Sequence, residues 1–206
     1  MSKLFEYITR HVLYALVLGG LCGIGFVLFL IEFDHFTSTE EFCTTCHSME
    51  LVAEPYRQST HYLPSSGVRA TCGHCHVSEG VLTATWDHFL GTEDLFKQLF
   101  GADYDDPAIN ALHLPEAAFK ARRWFKVRDS ATCKRCHVQE AIVGDRPDTL
   151  QIHLEDAKGK SCIDCHYNLV HRKVPSEKTF KRAAWNRMIE EEFKLEPGSA
   201  EALLKE

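Results

Sequence analysis

Twenty consecutive residues, Val12 to Ile31 (VLYALVLGGLCGIGFVLFLI), carry no charge. About 20 such residues span a hydrocarbon core as a helix, so the run predicts a transmembrane segment. Lys3, Arg10 and His11 precede it, and Glu32, Asp34, Glu40 and Glu41 follow. Basic residues stay on the cytoplasmic side, which predicts a cytoplasmic N-terminus with everything beyond the helix outside. A cleaved signal would have a shorter apolar region followed by small residues. Here Glu32-Phe33-Asp34-His35-Phe36 follows, so residues 1–33 are expected to form a retained single-pass anchor. Gly19 and Gly23 give that anchor a small-residue face compatible with a homo-oligomer, although glycine is common in membrane helices anyway. Cys22, mid-membrane, is expected to be a free buried thiol.

Beyond the anchor the pattern is helical but interrupted. Thr37-Ser38-Thr39-Glu40-Glu41 has the hydroxyl-then-acid order of a helix start. Ala84 to Phe100 and Pro115 to Val127 are helical candidates, separated by the acidic, turn-rich Gly101-Ala102-Asp103-Tyr104-Asp105-Asp106-Pro107. In the tail, residues 176–206, Phe180, Ala184, Met188 and Ile189 recur at helical spacing within Ser176 to Leu195. Pro197-Gly198 ends that stretch. The tail predicts an amphipathic helix packed on the preceding domain, with a partner-docking helix as the alternative.

Residues 34–175 hold the chemistry. Four C-x-x-C-H motifs occur: Cys43–His47, Cys72–His76, Cys133–His137 and Cys162–His166, using eight of the nine cysteines. This pattern is a c-type haem attachment site. The two thiols add to the haem vinyl groups and the adjacent histidine reaches the iron. Zinc pairs or a thioredoxin-like couple would not need a histidine after every second cysteine. The chain therefore calls for four covalently bound haem c groups, attached through Cys43, Cys46, Cys72, Cys75, Cys133, Cys136, Cys162 and Cys165. Haem attachment to cysteine places the domain outside the reducing cytosol, on the periplasmic side of a bacterial inner membrane. The remaining chain is short for four prosthetic groups. The haems must then form much of the core, and the expected fold is mainly α with long loops and little or no sheet. A net charge of −6 argues against nucleic acid as a partner.

The spacing contains a repeat. Cys43 to Cys72 and Cys133 to Cys162 are both separations of 29, which predicts two two-haem modules. His61 and His153 occupy equivalent places in them and are candidate distal iron ligands. His171, soon after the last motif, and His113, in an apolar stretch, are further candidates beside the motif histidines His47, His76, His137 and His166. Only the first motif carries a methionine, Met49, two residues past its histidine. Thioether ligation raises haem potential relative to two histidines. Met49 is then either a ligand that sets the first haem apart or ordinary apolar packing.

The anchor, the four motifs and the sequence C-x-x-C-H-x-M from Cys43 to Met49 resemble the NapC/NirT/NrfH family of membrane-anchored tetrahaem cytochromes c. So do Gln58-Ser59-Thr60-His61-Tyr62, Ser66-Gly67-Val68-Arg69-Ala70-Thr71-Cys72 and Ser161-Cys162-Ile163-Asp164-Cys165-His166, within about residues 10 to 175. The resemblance implies a quinol dehydrogenase that takes electrons from menaquinol or ubiquinol. It passes them through four haems to a periplasmic reductase or soluble cytochrome, in anaerobic or nitrogen-type respiration. It also implies that Met49 replaces His47 on the first iron, and it supports His61, His113, His153 and His171 as distal ligands.

One departure stands out. Family members carry lysines after the second motif, where one is thought to position the quinol, whereas Gly80 to Asp94 contains none. Quinol oxidation releases two protons and needs an acceptor. Asp94 keeps the family's acidic position, and His88 falls where a base would be. Asp94, His88 and Asp87 are the expected quinol-side group, against the alternative of an ordinary surface helix. The competing functions are an electron-transfer subunit without its own quinone site, a quinone reductase running the flow in reverse, and a haem-bearing catalytic reductase.

Overall fold

The computed structural model describes the backbone of residues 2–205 and the side chains of residues 7–205. The side chain of Lys3 lies outside them. No strand occurs among the described residues. Ten α-helices follow one another: α1 (Ser2–Thr37), α2 (Glu40–Cys43), α3 (His47–Arg57), α4 (Cys72–His76), α5 (Val81–Phe100), α6 (Pro107–Val127), α7 (Ala131–Lys134), α8 (Thr149–Leu154), α9 (Arg182–Phe193) and α10 (Ala200–Leu203). Two 3-10 turns, Gln139–Ala141 and Cys162–Asp164, complete the set.

Helix α1 contains the apolar run and extends beyond it at both ends. Its span from Tyr7 to Thr37 is 31 residues, and its most apolar window has a mean hydropathy of 2.4 and is buried nowhere by the protein. Length and an all-round apolar surface are what a lipid-facing helix requires. Thr37 closes α1, its hydroxyl bonding back to the Phe33 carbonyl at 2.7 Å. Thr39 then starts α2, accepting the Phe42 amide at 3.2 Å. The hydroxyl cluster expected to start one helix thus also ends another.

Helix α6 starts at Pro107, eight residues before the expected Pro115, because the acidic loop ends in a cap. The Asp106 carboxylate accepts the Ala108 and Ile109 amides at 2.8 and 3.0 Å, with proline at the first helical position. Pro115 then sits inside the helix, fully buried. A mid-helix proline removes the bond to the carbonyl four residues back, here that of Ala111. That carbonyl accepts the indole N–H of Trp185 from α9 at 2.9 Å. The neighbouring Leu112 carbonyl accepts Arg182 at 2.8 Å. The proline thus opens an acceptor that docks another helix.

This junction is the main apolar core of the polypeptide: Ala111, Leu112, Val174, Trp185, Ile189 and Ala200, flanked by Phe119, Phe180 and Phe193. The tail packs on the domain, as the first of the two sequence readings has it. Its buried residues are Trp185, Ile189 and Ala200, while Met188 is exposed. The haem motifs lie outside this cluster.

Trp185→Phe is expected to leave the Ala111 carbonyl buried without a donor, at a cost of about 1–3 kcal/mol. In a Pro115→Ala background the restored amide should supply that donor, so the same substitution should cost less. Thermal unfolding of the four variants checks the cycle. Equal costs in both backgrounds would reject the link between the proline and the indole.

Candidate haem sites

The second motif is itself a helix. Cys72 to His76 form α4, so Cys72, Cys75 and His76 lie within little more than one turn. A capping box holds its start: the Thr71 hydroxyl accepts the His74 amide at 3.3 Å, and His74 Nδ1 accepts the Thr71 amide at 3.1 Å. His74 is thereby committed to its own motif. Gly73 is required by packing, since a Cβ there would lie 2.6 Å from Ser38 Cβ at the end of α1. In the third and fourth motifs the histidine amide donates to the carbonyl of the first cysteine, His137 to Cys133 at 3.0 Å and His166 to Cys162 at 2.9 Å. The fourth carries its own capping box, Ser161 with Asp164.

The first motif differs. Helix α2 stops at Cys43, and Cys46 is extended (φ −85°, ψ 134°) as the cap of α3. Among the described residues the His47 amide makes no bond to the Cys43 carbonyl; the turn is instead closed by Met49 N to Cys46 O at 3.0 Å. Ser48 between them is buried and held three ways. Its amide donates to Asp105 at 3.0 Å, its carbonyl accepts Asn110 at 3.1 Å, and its hydroxyl donates to Gln98 at 2.6 Å. With Ser48 turned inward, His47 and Met49 are both exposed on either side of it. Sequence reasoning passed over Ser48, whose partners lie 50 to 62 residues away.

The thiols of successive motifs lie close to one another, Cys43 to Cys72 and Cys133 to Cys162 within the modules and Cys75 to Cys133 and Cys136 between them. Burial pushes the Cys75 thiol up to about 11 and also raises Cys133, keeping both protonated. The Ser130 and Ser161 hydroxyls, 2.6 Å apart, join the third and fourth motifs.

Three motif histidines each face a second histidine. Ring centres are 6.0 Å apart for His76 and His171, 6.1 Å for His137 and His61, and 6.1 Å for His166 and His153. A metal between two imidazoles needs two bonds of about 2 Å and a further ~1 Å to each ring centre, so roughly 6 Å in all. The residues present therefore fit an iron in each pair. The outer nitrogens agree with this. His171 Nδ1 donates to the Val52 carbonyl at 3.0 Å and His153 Nδ1 to the Thr149 carbonyl at 2.8 Å, leaving Nε2 free as a ligand. Burial, helped by His171, pushes His76 down to about 4. It also lowers His61, His166 and His171. All four are thus held in the neutral form that binds metal.

Neighbouring elements place these ligands. Arg122 of α6 holds the segment that carries His171, donating to the Val174 and Pro175 carbonyls at 2.8 Å and to Asn168 at 3.0 Å. Gln139 donates to the His153 carbonyl at 3.3 Å. The backbone of His61 is tied by the Ala70 amide at 3.1 Å. His61 and His153, equivalent in sequence, differ in partner: His153 faces the next motif of its own module, whereas His61 faces the third motif, in the other module. His113 has no histidine opposite it among the described residues. Its ring stands 5.3 Å from that of Tyr104, and its Nε2 is buried without a hydrogen-bond partner.

The three expected quinol-side residues do not converge. Asp87 is turned inward, its carboxylate accepting Arg128 at 3.0 Å and the Ser78 amide at 2.9 Å. Asp94 is exposed and meets Lys120 of α6 at 3.1 Å and Lys97 at 3.6 Å. Asp94 thus has lysine partners although Gly80 to Asp94 holds none, one of them 26 residues away. His88 turns toward the anchor. Its Nδ1 donates to the Ala84 carbonyl at 2.9 Å, its Nε2 meets the Thr37 hydroxyl at 2.9 Å, and Asp34 lies 3.4 Å off.

Residues 7–177 match the model of the NapC/NirT cytochrome c family, N-terminal region. A probable tetraheme cytochrome c-type protein of Nitrosomonas europaea is 38% identical over 165 residues, 78% of this chain and 69% of that protein. NapC of Escherichia coli (strain K12) is 33% identical over 167 residues, 76% of this chain and 83% of NapC. TorC of the same strain is 29% identical over 192 residues, 88% of this chain, which spans about half of TorC (49%). No solved structure matches the chain.

His171→Gly is expected to open one iron of the four. Electron paramagnetic resonance should show one new high-spin haem, and added imidazole should reverse the change. An unaltered low-spin spectrum would exclude His171 as a ligand.

Proposed function

Since the chain belongs to the NapC/NirT cytochrome c family, and so carries covalent haem c for electron transfer, we propose that it oxidises membrane quinol and delivers the electrons outward. The observation that carries this reading is the inequality of the four motifs. Three have paired histidines. The first, beside the end of the membrane helix, has a broken turn and offers Met49. The haems supply one-electron carriers. The chain's task is to make one of them accept electrons from a lipid-soluble donor and to keep the rest as a relay.

The open turn at Cys46 and the inward clamp on Ser48 support Met49 as the ligand of the first iron. Methionine in place of histidine raises the potential and favours electron entry there. The opposed pairs support His76 with His171, His137 with His61, and His166 with His153 as ligands of the other three. A quinol losing two electrons also sheds two protons. His88 is the acceptor best placed for one of them. It sits where α1 leaves the apolar layer, with the Asp34 carboxylate beside it to balance an imidazolium. Asp87 serves to fix α5 against Arg128, and Asp94 forms an exposed cluster with Lys97 and Lys120. The NapC and TorC likeness supports a periplasmic reductase or cytochrome as the acceptor.

The full-length haem-loaded protein in lipid nanodiscs, mixed with menaquinol and ubiquinol analogues, should show rapid haem reduction by at least one of them. If neither quinol reduces the haems, and neither quinone oxidises the reduced protein, the proposal is wrong and the chain is an electron carrier without a quinone site. His88→Ala should slow quinol-driven reduction while leaving reduction by dithionite unchanged. Met49→His should lower the midpoint potential of a single haem, read by redox titration; an unmoved titration would rule out Met49 as a ligand.

A further inference from the structure

Helix α5 exposes a face that no part of the polypeptide covers. At 3.6 residues per turn Leu82, Trp86, Phe89, Phe96 and Phe100 fall within an arc of roughly 80°. They are 81%, 57%, 62%, 61% and 80% exposed. Trp86 stacks on Phe89 and Phe96 on Phe100, so the face carries an aromatic pair toward each end of the helix, with Glu93 between them. A patch of this kind on a water-facing helix marks an interaction surface.

The surroundings of the strip identify its occupant. The opposite side of α5 faces the protein: Ala84 is buried there, and Gln98 binds Ser48 of the first motif. The first haem motif therefore lies behind the helix, away from the strip. One flank meets the anchor, where His88 lies 2.9 Å from the Thr37 hydroxyl and its ring is 6.1 Å from that of Phe33. The other flank carries the charges, with Asp94 bonded to Lys120 of α6 and Asp87 to Arg128, and the carboxylate of Glu93, which starts within the arc, drawn to that side by Lys97 and Lys120. Passing around α5, one moves from the lipid-facing anchor, across the aromatic strip, to an ionic border joined to the rest of the domain. The strip thus continues the apolar surface of α1 sideways. Aromatic and leucine side chains on one face with charge at the margin are what the boundary between headgroups and acyl chains accepts.

We propose that α5 lies along the membrane surface with this strip inserted among the upper acyl chains, as a second lipid contact that fixes how the domain sits on its anchor. The proposal depends on α1 being in the membrane and is independent of the quinone reading.

The test uses the haem-loaded full-length protein in nanodiscs containing a phospholipid with a diazirine near the glycerol end of its acyl chain. After irradiation, peptides are mapped by mass spectrometry. Label is expected on the segment of residues 81–100 as well as on α1. In the double variant Phe89→Gln, Phe96→Gln the α5 label should fall to background while the α1 label and the haem spectrum are unchanged. Two outcomes overturn the proposal. In the first, label is confined to α1. In the second, α5 label appears only in discs that hold a single copy, which would make the strip a contact between chains.

Discussion

Three pairs of histidine rings are held about 6 Å apart, the separation an imidazole–iron–imidazole axis would need, and much of the structure follows from holding them there. In two of the three pairs the second ring comes from far along the sequence. The remaining architecture follows from aiming those rings. Arg122 holds the strand of chain before and after His171, Gln139 steadies α8, and carbonyls take the outer nitrogens of His153 and His171. These contacts are polar and local. The apolar core sits elsewhere, between α6 and the C-terminal helices. Around the motifs, porphyrin takes the place that leucine and phenylalanine hold in an ordinary domain.

That division explains why the C-terminal region is structural. The core cluster needs Trp185, Ile189 and Ala200, all beyond the last haem motif. Pro115 links the two halves. By removing one helical hydrogen bond it leaves a carbonyl that only a donor from outside the helix can reach, and Trp185 is that donor. A residue that usually ends helices serves here as a socket for another helix.

Much of this was legible in the sequence. The apolar N-terminal helix, the all-helical class and the cytochrome c family depend on local patterns, and local patterns survive reading without a structure. The packing of the tail was also legible, though its anchoring residue, Trp185, was not, because its partner is a carbonyl 74 residues away. The start of α6 was missed because Pro115 looked like a first-turn proline, while Asp106-Pro107 holds the real cap. Which histidine faces which motif could not be read from spacing, since His61 and His153 share a place in the repeat, yet His153 turns to its own module and His61 to the other. Asp87, His88 and Asp94 are near neighbours in sequence, and a helix sends them toward Arg128, the anchor and α6.

The crossing of His61 and His171 between modules bears on how the protein is made. His171 follows His76 by 95 residues, so the second motif is synthesised long before the histidine that faces it. Under the proposed paired-histidine arrangement, a haem attached at the second motif would gain its second histidine only after nearly a hundred further residues of synthesis. The third site would meet no such delay, because His61 is already made when Cys133 arrives. The order of completion would therefore be set by topology rather than by position, and the second site would close only when nearly the whole haem-bearing sequence is made. A chain stalled before residue 171 would leave a reactive open haem, a hazard that attachment machinery must either outpace or shield.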